Sequence, residues 1–532
     1  MALPHLCLLR LVTLTLLSLC LSTASAQRLT LVSAPNQVPR YGLFEAAIRV
    51  ANPVAHNPFT EATFEGTFTS PGGKRATADG FCDSADGTLF KVRFCPSQVG
   101  ACRYELTYTD RAGKQTLKGR FNCANTHNPG PVIADPQAPQ HFIYAGSSKH
   151  FYHLGITAYH LLMPENSDAD IRHYVDWCAA AGFNKIRFLL AGYALEGAYG
   201  APPGLPTPVL PWPGGQDHLD FTRFDVGYWQ RAERAITYMR DKGIVATVIL
   251  MIEKDDLPMQ LGALSEHEYR YYRCAVARLA AYHNVWFDLG NEHNEYRQVP
   301  DWANTMGPFI RQHDPYGRLI SAHGYADFAY GDQDWAGYII TQQYGTPQEV
   351  NAWALKYRQY QKPYVNEEYG YEGNADKPGH QMNVNWVRRC HWALALAGGY
   401  ATYGDWLPHA PFYLAHIGAG QAPPQLKLLR TFFEQLPYWQ MQPANHLVSD
   451  NALCLAKPGE VYVIYAPDGG TVQLDLPPPR GTKGTRPQTY LAKWFDPRLG
   501  NYSKPFQVQA SFRPSLAPPS AGDWALLLRT QP

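Results

Sequence analysis

The chain has 532 residues, of which 45% are hydrophobic and 17% charged, with a formal net charge of +1. This length predicts two to four domains, and the composition excludes a disordered chain. A net charge so close to zero excludes the electrostatic attraction that nucleic-acid-binding and anionic-membrane-binding proteins use. Aromatic residues make up 13% of the chain, a content typical both of sugar-binding surfaces and of large cores.

Residues 1–26 have the pattern of an export signal. A weakly basic start with Arg10 is followed by an apolar run and by three small residues at 24–26. This pattern predicts removal of the signal and a secreted or periplasmic protein. The apolar run is too short to cross a bilayer and no later stretch is long enough, so we expect no integral membrane segment. Cys20 raises the alternative of a lipoprotein, although Leu19 is larger than the residue that usually precedes a lipidated cysteine.

Residues 27–125 have the pattern of short antiparallel strands. Four segments roughly alternate apolar and polar side chains, and glycine-containing turn signals separate them. These segments are 43–50, 63–70, 88–94 and 103–110. We therefore predict an N-terminal β-sandwich over 27–125, followed by a Pro-rich linker over 126–140.

Eight cysteines follow the signal, and they fall into two groups. Four lie close together in the sequence, which in an exported protein predicts disulfides with three possible connectivities: Cys82, Cys95, Cys102 and Cys123. The others are scattered and are expected to be buried thiols: Cys178, Cys274, Cys390 and Cys454. No cysteine or histidine spacing is typical of a metal site, so we expect no metal and no other cofactor.

Residues 141–436 alternate strand and helix patterns. Eight near-continuously apolar segments are separated mostly by amphipathic ones, as expected of parallel strands that are buried on both faces. Their number and order predict a (β/α)8 TIM barrel. The predicted strands are 151–159, 184–191, 245–253, 284–292, 318–324, 337–345, 363–370 and 398–406. Strands and turns then return, so we predict a second, smaller β-sandwich over 437–532.

Glutamates follow two of the predicted barrel strands. Asn291 and Glu292 end the fourth strand, and Glu367 and Glu368 end the seventh. In such barrels the reacting groups lie beyond the carboxyl ends of the strands, so Glu292 and Glu368 are expected to share a pocket. A glycosidase needs two facing carboxylates, one as acid and base and the other as nucleophile. Neighbouring strand residues point to opposite sides, so only one of the seventh-strand pair is expected to face the barrel axis, and we prefer Glu368. For either glutamate alone, a rim salt bridge or a helix cap is the alternative.

These motifs resemble those of the clan A retaining glycoside hydrolases, which have Asn-Glu after the fourth strand and Glu-aromatic-Gly after the seventh. More narrowly, "GITAYHLL", "VWFDLGNE" and "KPYVNEEYGYEG" are similar to the apiosidase-like barrel family. The segment 57–110 resembles a sandwich domain often joined to such barrels. The segment 454–528 resembles a C-terminal domain named for collagen binding, although none of its residues accounts for that binding. The resemblance covers nearly all of the mature chain and does not specify a substrate.

The resemblance implies roles for individual residues. Glu292 corresponds to the general acid/base and Glu368 to the nucleophile, with their carboxyl groups about 5–5.5 Å apart. Burial and the neighbouring charge are expected to raise the pKa of Glu292. Asn291 corresponds to the residue that binds the sugar hydroxyl beside the reacting carbon. Arg187 corresponds to an arginine that steadies the nucleophile and lowers its pKa, with a buried structural ion pair as the alternative.

Further residues at the predicted barrel mouth are candidates for substrate binding. Tyr344 stands where many clan members carry a histidine or tyrosine after the sixth strand, with Gln343 as the alternative. The other candidates are Tyr159, His160, His323 and Trp406, whose ring is suited to stack on a sugar. For each histidine a buried structural role is the alternative. We expect His293 and Glu295 to shape the loop after the fourth strand, and the Pro-rich loop 197–218 to form a pocket wall or a plain surface excursion.

The sequence therefore predicts an exported retaining glycoside hydrolase that acts on a plant, algal or microbial polysaccharide. Its partner is an oligo- or polysaccharide and not a nucleic acid. The alternative is a non-catalytic carbohydrate- or matrix-binding protein that uses the barrel as a scaffold. A metal-dependent hydrolase is a third possibility, disfavoured because no ligand cluster is visible in the sequence. The sequence specifies neither the sugar, the linkage, exo or endo action, nor the oligomeric state.

Overall fold

The computed structural model describes residues 28–164, 166–191, 210–214, 218–251, 261–297, 299, 301–324, 329–373, 382–405, 417–476, 488–510 and 513–530. Within these residues the chain forms an all-β N-terminal unit, a curled sheet of parallel strands with helices around it, and an all-β C-terminal unit. The predicted export signal lies outside the described residues. Every helix in the described ranges is too short or too polar to cross a bilayer.

The N-terminal unit is an eight-stranded sheet that folds over its own core. Its strands are β1 (Arg28–Ser33), β2 (Gln37–Pro39), β3 (Phe44–Ala51), β4 (Thr63–Thr69), β5 (Arg75–Cys82), β6 (Leu89–Phe94), β7 (Gly100–Asp110) and β8 (Gly113–Ala124). Their order is β1-β3-β6-β5-β4-β7-β8-β2. The ring of Phe44 on β3 contacts those of Phe68 on β4 and Phe121 on β8, with centroids 5.6 and 4.3 Å apart. The two ends of the sheet therefore pack face to face.

The cysteines of the described residues are all thiols, so the prediction of disulfides among Cys82, Cys95, Cys102 and Cys123 is wrong for this structure. Cys102 and Cys123 lie on the paired strands β7 and β8, but Cys102 is opposite Phe121 and Cys123 is opposite Gly100. Diagonal neighbours of this kind are roughly 7–8 Å apart, beyond the usual Cα separation of a disulfide. The expected thiols Cys178, Cys390 and Cys454 are buried, and Cys274 is half-buried.

The central unit is a nearly closed barrel of eight parallel strands. They are β12 (Gly155–Thr157), β13 (Lys185–Leu189), β14 (Val245–Ile249), β15 (Val285–Asp288), β16 (Ile320–Ser321), β17 (Ile339–Thr341), β18 (Tyr364–Asn366) and β19 (Tyr400–Tyr403). The order β16-β15-β14-β13-β12-β19-β18-β17 pairs the first of these strands with the last. A backbone hydrogen bond of 2.8 Å from Gly337 to Ile320 crosses the remaining seam. Each strand lies inside one of the eight predicted segments, and all of their residues are buried.

Three short strands close the amino-terminal end of this barrel. They are β9 (Val132–Ala134), β10 (Phe142–Tyr144) and β11 (His150–Phe151), which form a small antiparallel sheet. Phe142 packs against Trp286 and Tyr400 with ring centroids 5.0 and 5.4 Å apart. β9 lies in the segment predicted to be a linker.

The helices of the described residues are α1 (Asp168–Ala181), α2 (Val226–Asp241), α3 (Glu266–Leu279), α4 (His293–Tyr296), α5 (Trp302–His313), α6 (Pro347–Tyr357), α7 (Val384–Leu396) and α8 (Ala422–Glu434). Local sequence sets their ends. Ser167 and Asp170 form a capping box at the start of α1, and Gly182 ends that helix with a φ of 90°. The sequence analysis did not predict α4, α5 or α8. α5 contains Pro308, a residue that normally argues against a helix interior.

The C-terminal unit contains β20 (Gln442–Pro443), β21 (Leu453–Lys457), β22 (Val461–Ala466), β23 (Val472–Gln473), β24 (Thr489–Phe495), β25 (Phe506–Gln509), β26 (Ser515–Leu516) and β27 (Trp524–Thr530). Six of them form an antiparallel sheet in the order β20-β21-β22-β27-β24-β25, and β23 pairs with β26.

Buried ion pairs join both outer units to the barrel. On the N-terminal side, Arg93 of β6 contacts Glu233 of α2 at 2.8 Å, and Arg278 of α3 contacts the same glutamate at 2.6 Å. On the C-terminal side, Arg388 of α7 donates to Asp523 at 2.9 Å. These arginines are at most 3% exposed. Each of these arginines also makes further hydrogen bonds, which help to offset the cost of desolvating its charge.

Candidate active site

The turn after β15 is tied to both neighbouring strand ends. Asp288, the last residue of β15, accepts a hydrogen bond from the backbone N–H of His323 at 3.2 Å. The backbone N–H of Asn291 donates to the carbonyl of Met251 at 3.0 Å. Glu292 then adopts φ 50° and ψ 34°, a left-handed conformation that is uncommon for residues other than glycine. Such conformations persist where the surroundings hold them, and they cluster at functional sites.

Glu292 and Glu368 face each other and share one hydrogen-bond donor. Nε2 of Gln342, the first residue after β17, donates to Oε1 of Glu292 at 2.9 Å and to Oε1 of Glu368 at 3.0 Å. Because one nitrogen atom contacts both oxygens, the two oxygens lie within about 6 Å of each other. Both glutamates are buried, with 8% and 7% of their surfaces exposed. The structure thus brings the two predicted carboxylates into one site.

Tyrosine hydroxyls supply further donors to Glu368. Tyr344 donates to its Oε1 at 2.9 Å, and Tyr159 donates to its Oε2 at 3.1 Å. Burial, followed by the charge of Glu368, raises the pKa of both Tyr159 and Tyr344 well above its ordinary value, so the hydroxyls keep their protons. A carboxylate that accepts several hydrogen bonds is stabilised in its charged form. The two tyrosines therefore hold the Glu368 side chain and oppose its protonation.

The pKa of Glu368 is nevertheless raised to about 7. Burial is the largest cause, the charge of Glu292 adds to it, and the hydrogen bonds together with the charge of Arg187 oppose it. The sequence-based expectation placed a raised pKa on Glu292 instead. The structure shows the enclosed position of Glu368 among tyrosine rings, which the sequence pattern did not reveal.

This raised pKa predicts that Glu368→Gln stabilises the protein at alkaline pH. The folded protein binds the Glu368 proton more tightly than the unfolded chain does. The resulting stabilisation is therefore complete below pH 4.5 and is lost as the pH rises to about 7. A glutamine at this position carries no such penalty. We expect the variant to exceed wild type by about 3 kcal/mol in unfolding free energy at pH 8 and to match it near pH 4.

Chemical denaturation of both proteins at the two pH values checks this prediction. Glu434→Gln, which changes an exposed carboxylate of α8, is the matched control and is expected to follow wild type throughout. Equal stability of Glu368→Gln and wild type at pH 8 would contradict a raised pKa for Glu368.

Arg187 of β13 links several of the predicted site residues. Its Nε donates to Asp288 Oδ2 at 3.1 Å, its Nη2 to Asn291 Oδ1 at 2.6 Å, and its Nη1 to Tyr159 Oη at 3.1 Å. The guanidinium is fully buried, and Asp288 balances its charge. Arg187 therefore forms the buried ion pair that was the alternative for it, and it also reaches Glu368 through Tyr159.

Glu367 also points into the barrel, contrary to the alternation argument. Its carboxylate forms a fully buried ion pair with Lys185 of β13 and accepts a hydrogen bond from Thr402 of β19. The chain leaves the strand geometry after Asn366, so the rule of opposite sides no longer applies at the next two residues. Glu367 and Glu368 therefore share the barrel interior, but only Glu368 meets the other predicted carboxylate.

Lys185→Met is expected to lower the unfolding free energy by about 3–5 kcal/mol, because it leaves the Glu367 charge buried without its partner. Thermal and denaturant unfolding measure this loss. Lys242→Met is the matched control, because Lys242 pairs with Asp176 at 2.6 Å on the surface and such pairs contribute little. An equal stability of the two variants would show that the Lys185–Glu367 pair does not stabilise the barrel.

The structure places the other candidates at differing distances from the carboxylates. His323 Nδ1 lies 2.6 Å from Nη2 of Arg187, directly beside the site. His160 follows β12 and is buried, and burial lowers its pKa to about 4. His293 Nε2 is 3.0 Å from the hydroxyl of Tyr330. Glu295 lies in α4. Trp406 and most of the loop 197–218 lie outside the described residues.

The sequence analysis missed three residues of this site. Gln342 bridges the two glutamates, Asp288 pairs with Arg187, and Tyr371 interacts with Glu368. Gln342 and Asp288 lie at the carboxyl ends of barrel strands. The rule that functional residues lie there could have identified them, but it was applied mainly to the glutamates. Among the described residues, no group of three or more His, Cys, Asp or Glu side chains could hold a metal ion.

Two family models match the chain. Residues 137–406 match the model described as "Apiosidase-like, catalytic domain", and residues 37–109 match that of DUF5060, a domain of unknown function. The first match includes the barrel strands and both glutamates of the site. No curated protein matches the chain.

Several solved structures are similar to this chain. One is a putative glycoside hydrolase from Bacteroides vulgatus ATCC 8482, with 22% identity, a TM-score of 0.79, and coverage of 93% of this chain and 100% of that one. A glycoside hydrolase family 5 protein from the same organism is 16% identical, with a TM-score of 0.59 over 76% of this chain and 94% of that one. A third structure, of a glycoside hydrolase, is 15% identical, with a TM-score of 0.58 over 76% and 97%. At these identities the likeness shows the fold.

Proposed function

Because the chain belongs to the apiosidase-like catalytic-domain family, we propose that it is a retaining glycoside hydrolase that uses Glu292 and Glu368. Its substrate is an O-glycosidic bond of a plant, algal or microbial oligo- or polysaccharide. We include in the proposal that the protein is exported, since residues 1–26 have the pattern of a signal. The two outer all-β units are proposed to be β-sandwich modules, which accords with their antiparallel strand order.

One observation carries this proposal: Glu292 and Glu368 accept hydrogen bonds from the same nitrogen atom. Their bonded oxygens are therefore within about 6 Å, near the roughly 5–5.5 Å of retaining enzymes and below the 6.5–9.5 Å that leaves room for water in inverting ones. The same observation disfavours the non-catalytic binding protein, in which nothing requires two buried carboxylates to face each other. Repulsion between two close carboxylates lowers stability, and catalysis gives a reason for the protein to keep them together.

The chemistry proceeds in two steps. A Glu368 oxygen attacks the anomeric carbon as the bond to the leaving oxygen breaks, and Glu292 gives its proton to that oxygen. The products of this step are the departing alcohol and a glycosyl ester on Glu368. Glu292, now a carboxylate, removes a proton from water, which attacks the same carbon and releases Glu368. The two inversions give a sugar with its original anomeric configuration.

The surrounding contacts favour Glu368 as the nucleophile and Glu292 as the general acid/base. Hydroxyl donors from Tyr159 and Tyr344 stabilise the charge that Glu368 needs in order to attack. In the free protein, burial and the neighbouring Glu292 charge raise the pKa of Glu368 to about 7, so Glu368 holds a proton below neutral pH. When a substrate oxygen lies beside Glu292, that proton is best held there, because the leaving oxygen accepts it as the bond breaks.

Neighbouring side chains are suited to bind the sugar. Asn291 is proposed to bind the hydroxyl beside the anomeric carbon through its amide N–H, because Arg187 donates to its oxygen at 2.6 Å. His160 and His323 are neutral, since burial lowers the pKa of each, and neutral imidazoles suit contacts with hydroxyl groups. Trp406 remains a candidate for stacking on a sugar ring.

Hydrolysis of a panel of aryl glycosides and plant, algal and microbial polysaccharides tests the function. Proton NMR of the first-formed product reports its anomeric configuration. We expect cleavage of at least one substrate with retention. Cleavage with inversion would contradict the two-glutamate mechanism. Binding without cleavage, unaffected by loss of either glutamate, would favour the carbohydrate- or matrix-binding alternative.

A further inference from the structure

Gln342 is the point at which the two carboxylates meet. It is 6% exposed, and Nε2 carries two hydrogens, one for each carboxylate. The amide group therefore has the correct number of donors for this position. A hydroxyl group has one hydrogen and can donate to only one of the two glutamates at a time. This geometry makes Gln342 a bridge, whereas the hydroxyls of Tyr344 and Tyr159 each donate to Glu368.

The orientation of the Gln342 amide depends on which atom faces His323. Nδ1 of His323 lies 2.6 Å from Nη2 of Arg187, and a guanidinium only donates. Nδ1 is therefore the acceptor, and the neutral ring carries its hydrogen on Nε2. Burial, with the Arg187 charge, holds the pKa of His323 well below its ordinary value, so the ring stays neutral.

Two further polar atoms of His323 and Gln342 are complementary as hydrogen-bond donor and acceptor. Nε2 of His323 and Oε1 of Gln342 are buried, and neither finds a partner among the described residues by strict geometry. One is a donor and the other an acceptor, and the two side chains interact. A hydrogen bond from His323 Nε2 to Oε1 would direct the NH₂ group of Gln342 toward the carboxylates. The reverse orientation would point a carbonyl at two carboxylates and leave two donors facing His323.

We propose that Gln342 is the positioning residue that ties the acid/base to the nucleophile, with its amide oriented by the Asp288–Arg187–His323 chain. This inference rests on the proposed function for its catalytic meaning, but the bridge itself is a property of the resting protein. The bridge sets the separation of the two carboxylates and shields their charges from each other. Its loss removes a donor from both anions, so both carboxylates become harder to ionise.

Gln342→Met keeps the length of the side chain and removes both donors. We expect kcat/KM to fall about 10²–10³-fold, as for the loss of one preorganised donor, and the acidic limb of the pH–rate profile to move to higher pH. Gln342→Asn keeps the amide but is too short to reach both glutamates, so it should show the same changes at smaller size. Thr341→Val is the matched control: it removes a buried hydrogen bond of 2.7 Å to Tyr364 one residue earlier and should leave the pH profile in place.

A titration that needs no substrate separates this inference from the proposed function. Carbon-13 NMR of labelled glutamate carboxyl groups, assigned with Glu292→Gln and Glu368→Gln, follows the pair in each protein. We expect a higher pKa for Glu368 in Gln342→Met and Gln342→Asn than in wild type. Nitrogen-15 NMR of His323 should show hydrogen on Nε2 and none on Nδ1 from pH 5 to 8.

The possible outcomes are distinct. An unchanged carboxyl titration in both Gln342 variants overturns the bridge, whether or not any glycoside is cleaved. Hydrogen on Nδ1 of His323 overturns the orienting step. If the pKa of Glu368 is higher in the Gln342 variants but no glycoside is cleaved by wild type, the bridge is supported and the proposed function fails.

Discussion

Glu368→Ala is expected to lower kcat by at least about 10⁴-fold, which corresponds to about 5 kcal/mol of transition-state stabilisation. The carboxylate is the atom group that forms the covalent bond, and alanine leaves nothing within reach of the anomeric carbon. Removal of a nucleophile usually disables the whole catalytic unit, so the remaining groups contribute little without it. Substrate binding should change far less than kcat, because Tyr159, Asn291 and the rest of the site remain.

Azide provides a control for this variant. A small anion can enter the space left by the side chain and attack the anomeric carbon in place of Glu368. We expect azide to restore part of the activity and to give a glycosyl azide of inverted configuration. Loss of activity without rescue, together with an altered circular dichroism spectrum, would indicate misfolding. A variant that retains more than about a tenth of wild-type kcat would remove Glu368 from the mechanism.

Glu292→Ala is also expected to lower activity strongly, by an amount that depends on the leaving group. General acid catalysis contributes about 10²–10⁴-fold. We expect the full loss with polysaccharides and with aryl glycosides of weakly acidic phenols, whose oxygen needs a proton to depart. With dinitrophenyl glycosides the first step should be nearly unaffected, because that leaving group departs as an anion. Deglycosylation then becomes slow, since no base activates the water.

Steady-state and pre-steady-state rates over a series of phenols measure this dependence. We expect a burst of dinitrophenol in Glu292→Ala, and azide should accelerate its turnover and give a product of retained configuration. An equal loss of activity for all leaving groups would contradict the acid role of Glu292. The opposite configurations of the two azide products distinguish Glu292 from Glu368 within one experiment.

Much of the barrel follows directly from sequence pattern. Strands such as β14 and β15 are apolar throughout because both of their faces are buried, and each of the eight was predicted. The pairing of Glu292 with Glu368 follows from a rule about where strands end, and it needs no knowledge of side-chain contacts. Sequence reasoning was strongest where one physical constraint acts along a whole segment.

Features that depend on contacts between distant residues were not predictable in the same way. Gln342 resembles any buried glutamine until the two glutamates are brought beside it. Glu367 lies just past the strand, where alternation no longer fixes its direction, and its partner Lys185 is 182 positions away. For Cys102 and Cys123 the disulfide prediction failed because strand register, which sequence spacing does not specify, places them out of line.

Strand β5, whose composition is mixed, was also missed. β5 reads "RATADGFC" and pairs with β4 through Arg75–Asp79 and with β6 through Gly80–Cys82. A strand that passes from one half of the sheet to the other presents different faces to the core along its length. Its apolar residues therefore do not alternate regularly, and a period-two pattern is absent.

Trapping of the covalent intermediate tests the central claim most directly. Wild-type protein, Glu292→Ala and Glu368→Ala are incubated with a panel of activated 2-deoxy-2-fluoro glycosides, and peptides are examined by mass spectrometry. The account predicts one glycosylated peptide in wild type and in Glu292→Ala, with the sugar on Glu368, and none in Glu368→Ala. A sugar attached to another residue, or cleavage with inversion and no adduct, would contradict a retaining mechanism in which Glu368 is the nucleophile.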